Sequence, residues 1–372
     1  MSKIKTSKDL NIETLRGLAI LLMVTGHIIG YSSDMGLKVP DDSNWRFFYY
    51  VLQYIRMPLF TVISGYVYAY KPLSRFASTN QFIGRKINRL LFPLVVVGTL
   101  FFIVQFITPG TNSHVQIADI WRIYFFHYAH FWFLQGMMVV FLILTLLERY
   151  NLLSTLKSAL VCILISAGIF LTDQPHLSFF SLNEVPFLLT FFLLGLTLKR
   201  FYDAIFIRQT LIVAGVLFCS AMIYQLTQFN FRPFSPILNG GLTLAVGATS
   251  CILLIRYSIQ NGKLIWLGNF SYGIYLFHVF GTAAARMVLL KLHVTNNAVH
   301  LVGGLVLGLG LPIILQLIVP RNSILALMFF GEKYVSKKDS QSGGAKEQSN
   351  LTQYQDPLID PFSNKNKLEP NA

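Results

Sequence analysis

Long apolar runs separated by short polar segments dominate the chain. They fall at roughly 13–31, 47–70, 88–108, 131–147, 157–172, 184–198, 206–227, 237–255, 264–290 and 298–319, and most approach the ~20 residues that a helix needs to cross a bilayer. The fifth and sixth runs are short, as tilted or broken spans are. The pattern predicts an all-α fold, a polytopic membrane helix bundle of about ten transmembrane helices. It divides the chain into an N-terminal segment 1–12, a transmembrane domain 13–320 and a tail 321–372. The tail is rich in Ser, Gly, Gln, Asn, Lys and Pro, which predicts a largely disordered, solvated segment. A basic segment precedes the first run, as in a signal peptide. Glu13 and Arg16 interrupt that run and no small-residue cleavage site follows it, so an uncleaved first helix is expected.

Composition agrees with a membrane chain. Only 12% of the 372 residues are charged, about half the ~25% of a soluble domain. The formal charge of +14 does not imply nucleic acid, because the cations gather in alternate short loops. Lys71, Arg75, Arg85, Lys86, Arg89, Arg149, Lys157, Lys199, Arg200, Arg208, Arg256 and Lys263 lie at even-numbered boundaries between runs. The odd-numbered loops are poorer in Lys and Arg, so the positive-inside rule puts both termini in the cytoplasm. Membrane lipid is the expected surrounding and nucleic acid is not an expected partner. Cys162, Cys219 and Cys251 are spaced neither for a metal nor for a disulfide framework, so no metal is expected.

Ionisable groups inside the apolar runs are the candidates for chemistry, since hydrocarbon penalises them. Arg16 and His27 are eleven residues apart in the first run. At ~100° and ~1.5 Å per residue they share a helix face, roughly 16 Å apart. Arg16 sits towards the cytoplasm and His27 in the outer half. Snorkelling or pairing with Glu13 is the structural alternative for Arg16, and helix packing that for His27. Arg56 lies within the second run, beside Pro58 and near Ser64-Gly65, as expected either of a residue facing a polar cavity or of a kinked packing motif. Arg85, Lys86 and Arg89 precede the third run. They suit the phosphates of an anionic ligand arriving from the cytoplasm, or plain positive-inside anchoring. His130 and Trp132 stand at the outer end of the fourth run, as interfacial aromatics or as an acceptor platform. Ser271, Tyr275 and His278 follow i, i+4, i+7 spacing in the ninth run. His278 reaches a depth similar to that of His27, which suggests either a shared polar cavity or separate packing hydrogen bonds.

Arg16-x10-His27, Arg56-Met-Pro-Leu-Phe with Ser64-Gly65, Arg85 and Arg89 before Pro93, Trp132-Phe-Leu, and Leu267-Gly with Ser271, Tyr275 and His278 occur in the order seen in a known family. The chain resembles the integral-membrane acyltransferase-3 family over about residues 10 to 320. The resemblance implies a bundle of roughly ten helices in the bacterial cytoplasmic (inner) membrane, acetyl-CoA as the cytoplasmic donor, and O-acetylation of a cell-surface or lipid-linked glycan in polysaccharide biosynthesis. Arg16 and His27 match the family's signature pair and are the implied catalytic residues. His278, Arg56, Ser271 and Tyr275 are secondary candidates. Arg85, Lys86 and Arg89 are the candidates for holding the donor, and His130 and Trp132 for the acceptor side. Many members carry an acidic residue shortly after the tryptophan, where Gln135 stands here, so the carboxylate partner of a catalytic histidine is unassigned. Some members carry a fused esterase-like domain that this chain is expected to lack. Two other functions fit the same features: export or flipping of a lipid-linked polysaccharide, and the same fold using succinyl-CoA.

Overall fold

Several helices begin at polar capping residues rather than at the edges of the apolar runs. In the computed structural model, which describes residues 9–108, 115–172, 178–231, 235–319 and 322–331, the Asp9 carboxylate accepts from the amides of Asn11 and Ile12 and starts α1 (Leu10–Ile29). Ser43 caps α2 (Asn44–Tyr68) and Ser78 caps α3 (Thr79–Ile107). The cap at Ser78 carries helix well ahead of the third apolar run, so Arg85, Lys86 and Arg89 lie on α3 itself and not in a loop before it. A short outer helix, α4 (Arg122–Phe125), leads into α5 (Trp132–Arg149), followed by α6 (Leu156–Leu171) and α7 (Val185–Arg200). Then come α8 (Tyr202–Ile205), α9 (Arg208–Thr227) and α10 (Pro236–Tyr257). The ninth run is not one helix. It divides into α11 (Gly262–Gly268) and α12 (Ser271–Lys291) at Asn269–Phe270. Gly268 lies so close to the Glu13 carbonyl of α1 that a Cβ there would collide with it.

The chain ends its bundle with α13 (Asn297–Ile318), capped by Asn296, and α14 (Ser323–Phe330), capped by Asn322. The last helix lies inside the segment expected to be tail and packs on α3. The expectations for residues 1–8 and for the tail from 332 onwards lie outside the described residues.

Among the described residues, eight helices are long and apolar enough to cross a membrane. The other two of the predicted ten correspond to α2, whose run is diluted by tyrosines and arginines, and to α6, an apolar helix of 16 residues. The fold is thus the all-α, polytopic bundle that the apolar pattern predicts. Its outer surface is apolar: Ile212, Val216 and Ile223 of α9 and Val302, Val306 and Ile314 of α13 are exposed, as side chains facing lipid would be. Its interior is built by close helix crossings. A Cβ on Gly65 of α2 would meet the Phe192 carbonyl of α7, and one on Gly195 of α7 would meet the Val62 carbonyl of α2. Small residues let backbones approach this closely where no hydrophobic effect drives helices together. On the outer side, α1, α2, α12 and α13 diverge enough to leave a cavity.

Candidate active site

The outer cavity has a volume of about 380 Å³ and is walled by α1, α2, α12, α13, the start of α5 and the loop that joins α1 to α2. The loop from α1 to α2 forms its rim with Tyr31, Met35 and Leu37. That loop folds back because Gly36 adopts a positive φ of 59° against the end of α1. A Cβ at Gly36 would strike the Gly30 amide and the Ile28 carbonyl. The loop is pinned by Arg46, which is wholly buried, donates to the carbonyls of Gly30 and Val39, and pairs with Asp41 at 3.2 Å.

His27 stands on the cavity wall, exposed to that space although α1 is otherwise largely buried. Arg56 reaches it from α2. Its guanidinium stacks on the Tyr49 ring, with its central carbon 4.1 Å from the ring centroid. It also passes over Gly26, where a side chain would occupy the same space. Next to His27 lies His278 of α12, with ring centroids 4.9 Å apart, and His130 lies 5.1 Å from His278. Three imidazoles from three different parts of the chain therefore meet at one depth.

The partners of two of these rings fix their tautomers. A carbonyl oxygen only accepts. His278 Nδ1, 3.0 Å from the Ile274 carbonyl and 2.9 Å from that of Tyr275, therefore carries a hydrogen. In the neutral ring this leaves Nε2 as a lone pair, and it is buried without a hydrogen bond. By the same argument His130 Nε2 donates to the Leu276 carbonyl at 3.2 Å, leaving its Nδ1 buried as an acceptor. Tyr275 locks this arrangement by donating its hydroxyl to the His130 carbonyl at 2.5 Å. Beside the cavity, Trp132 stacks on His127 with centroids 5.9 Å apart and planes 7° from parallel. Burial pushes the His127 imidazole below its usual pKa, which favours the neutral ring in that stack.

The acyltransferase domain family matches residues 9–317 of this chain. The chain belongs to the acyltransferase-3 family. It is accordingly a multi-pass membrane protein of that family. The Nodulation protein NolL of Mesorhizobium japonicum is 27% identical to it over 151 residues, which is 40% of this chain and 38% of that protein. The match spans well under half the length of either chain. No solved structure matches.

Within this bundle the expected site residues separate into two groups. His27, Arg56, His130, Trp132 and Tyr275 all line the outer cavity, and His278 touches two of its walls. The second group lies towards the cytoplasm. Arg16 is bound to Glu13 through contacts of 2.9 and 3.0 Å, so the pairing weighed against a role in chemistry is present in the structure. Arg85, Lys86 and Arg89 of α3 lie against aromatic faces: Arg85 over Phe76, Lys86 over Phe141 and Arg89 over Tyr272, at 5.0, 4.2 and 4.6 Å from the ring centroids. Such cation–π stacking holds flexible cations in place. Ser271 is buried at the start of α12.

Gln135 is buried among backbone groups and lies outside the cavity lining. It donates to the carbonyls of Ile123, Tyr124 and Phe126 and accepts from the Ser181 hydroxyl at 2.7 Å. Its work is to tie the α4 segment to α5. Among the described residues no carboxylate lines the cavity, and the groups beside His27 are His278 and Arg56. Sequence reasoning missed Gly26, Tyr49, Arg46, Arg286 and His300. Of these, Arg286 carried a readable signal, a cation inside the ninth apolar run.

Proposed function

We propose that this acyltransferase moves an acetyl group from cytoplasmic acetyl-CoA to a hydroxyl of a cell-surface or lipid-linked glycan, and that it does so in the cytoplasmic membrane of a bacterium. The observation that carries this reading is the outer cavity, whose wall holds His27 between Arg56 and His278. A base and a cation stand together where a hydroxyl can enter from outside.

His27 takes the proton of the acceptor hydroxyl as its oxygen attacks the thioester carbonyl. Negative charge then grows on the carbonyl oxygen, and the adjacent Arg56 guanidinium stabilises it. Collapse of the tetrahedral intermediate breaks the C–S bond. The thiolate leaves and takes the proton back from the imidazolium, giving the ester and free CoA. His278, whose ring lies 4.9 Å from that of His27 and whose Nε2 is buried without a hydrogen bond, accepts one from His27 as that ring becomes imidazolium and so orients it, the task that a carboxylate performs in other histidine-dependent sites. On the other side of the membrane, Arg85, Lys86 and Arg89 hold the phosphates of the donor, and Arg16 guides the pantetheine arm along the face of α1 towards His27.

Family membership favours acyl transfer over glycan export. The test is the full-length protein reconstituted with acetyl-CoA or succinyl-CoA and a glycan acceptor, with CoA release and ester formation measured together. Ester formation from acetyl-CoA that disappears in His27→Ala, at unchanged membrane levels of the protein, is the expected result. Undiminished transfer by that variant overturns the role of His27, and transfer from succinyl-CoA alone overturns the choice of donor.

A further inference from the structure

Two imidazole nitrogens beside the outer cavity are acceptors that the protein itself does not satisfy. They are His278 Nε2 and His130 Nδ1, both buried without a hydrogen bond. The two rings lie 5.1 Å apart, yet neither nitrogen has a hydrogen to give the other. The ring hydrogens sit on His278 Nδ1 and His130 Nε2, in bonds to carbonyls. Buried polar atoms in native structures nearly always have a partner, and one that lacks it calls for an explanation such as a role in binding or catalysis. His27 supplies a hydrogen to His278 in the reaction described above. His130 Nδ1 has no task there.

The His130 ring is held in one orientation. Its residue is 4% exposed, and α12 grips it at both ends: the Leu276 carbonyl accepts from the ring, and the Tyr275 hydroxyl donates to its backbone carbonyl. Phe131 and Phe101 pack on the ring with centroids 4.1 and 5.8 Å away. Two hydroxyls of the cavity wall are committed elsewhere, that of Tyr275 to His130 and that of Thr282 to the Val279 carbonyl. A binding group locked by its neighbours in this way is prepared for a ligand of one shape.

The chemistry of Nδ1 defines that ligand. A lone pair takes an O–H or N–H and gives nothing to a carboxylate, which only accepts. His27 and His130 flank His278, with centroids 4.9 and 5.1 Å from its own, and both line the cavity. A ligand with one hydroxyl at His27 and a second on the next carbon bridges this gap, since each hydrogen bond adds ~3 Å. Trp132 and Phe133 give the same wall an apolar surface, with Trp132 backed by His127. Apolar walls carrying a few fixed polar groups are how small-molecule sites set the orientation of a ligand.

We infer that His130 is a specificity-determining residue of the acceptor site: its Nδ1 accepts a hydrogen bond from a second hydroxyl of the acceptor sugar, adjacent to the one that His27 deprotonates. This rests on the acceptor role given above to the same cavity and narrows its substrate class to sugars with two neighbouring free hydroxyls.

The test is direct binding to the full-length protein in nanodiscs, without any acyl donor. The probes are the methyl glycosides of glucose, galactose, mannose and N-acetylglucosamine, followed by each monodeoxy form of the tightest binder. Loss of the hydroxyl that His130 holds is expected to weaken binding about tenfold, the scale of a buried acceptor left unsatisfied. Two variants separate binding from packing. Glutamine places its amide near the Nε2 end of the ring it replaces, and asparagine near the Nδ1 end. His130→Gln should therefore keep the bond to Leu276 and lose the tenfold discrimination, whereas His130→Asn should keep part of it. A purely structural role predicts the reverse order of tolerance, read from thermal melts of both variants with their lipids. In the wild type, nitrogen NMR of histidine-labelled protein should show the His130 Nδ1 signal move when the sugar binds. Binding of none of the glycosides, equal binding of all deoxy forms, discrimination that survives in folded His130→Gln, or an unmoved Nδ1 signal overturns the inference. Because no donor is present, failure of acetyl transfer in the reconstituted assay is a separate result.

Discussion

The Arg56 guanidinium crosses α1 through the space that a side chain on Gly26 would fill. Glycine at position 26 therefore determines what stands next to His27. Without a side chain there, a cation from α2 can lie against α1 one residue before the imidazole. With any other residue, Arg56 must swing away into the cavity. Gly26→Ala is accordingly expected to lower acyl transfer by about 10²-fold, the scale seen when one oxyanion donor is lost. Folding should be nearly retained, since the displaced atoms are the far end of a flexible side chain. The measurement is a double-mutant cycle with Arg56→Ala. Once Arg56 is absent, Gly26→Ala should cause little further loss, and full additivity of the two losses would refute the connection.

His278 is expected to act through His27 and not on substrate. A hydrogen bond to a group that becomes charged is worth about 1.5–3 kcal/mol, or roughly 10- to 150-fold in rate. His278→Ala should lower kcat by about that factor and leave KM for the donor nearly unchanged. It should also move the acid limb of the pH–rate profile, because the base has lost the group that orients it. A loss of kcat with an unmoved pH profile would point to packing alone.

The apolar pattern carried the fold because bilayer thickness imposes a run length that survives almost any sequence detail. It did not carry the helix starts, which depend on single capping residues such as Asp9 and Ser78 outside the runs. The meeting of His27 and His278 was legible from their common depth on two helices. The place of His130 was not, since the Leu276 carbonyl and the Tyr275 hydroxyl that hold it are 145 residues or more away in the chain. In sequence, an arginine near the outer end of a span, such as Arg286, reads the same whether it snorkels to the headgroups or faces a cavity. Only the cavity distinguishes the two. Gln135, read as the vacant position of a catalytic acid, satisfies backbone carbonyls instead.

The outer loop should be held more by Arg46 than by apolar contact. Its guanidinium satisfies two carbonyls in a fully buried position. Arg46→Ala leaves those acceptors in a dry site, at about 1–3 kcal/mol for a buried unsatisfied group. Tm of the purified protein should fall, and protease sensitivity should rise first between Gly30 and Ser43. Because this loop rims the cavity, KM for the acceptor should rise while KM for acetyl-CoA stays close to wild type. An unchanged Tm would show that the loop is held by other contacts.

Glycines of this bundle should respond to substitution in opposite ways according to what surrounds them. Gly195 of α7 faces the Val62 carbonyl of α2, and the nearest neighbours of a Cβ there are backbone atoms, which cannot rotate aside. Gly215 of α9 has nothing within 4 Å of the position that a Cβ would take. In a helix interior, alanine is favoured over glycine by about 0.5–1 kcal/mol when space allows, so Gly215→Ala should hold or raise Tm. Gly195→Ala must instead push α2 and α7 apart, and overpacking of this kind costs about 1–3 kcal/mol or more. Both variants change one hydrogen to one methyl, so helix propensity alone predicts the same sign for the two. Thermal melts of the pair in one detergent decide the matter: a fall in Tm for Gly195→Ala beside a steady or raised Tm for Gly215→Ala is expected, and equal shifts would mean that the α2–α7 crossing is looser than its backbone contacts imply.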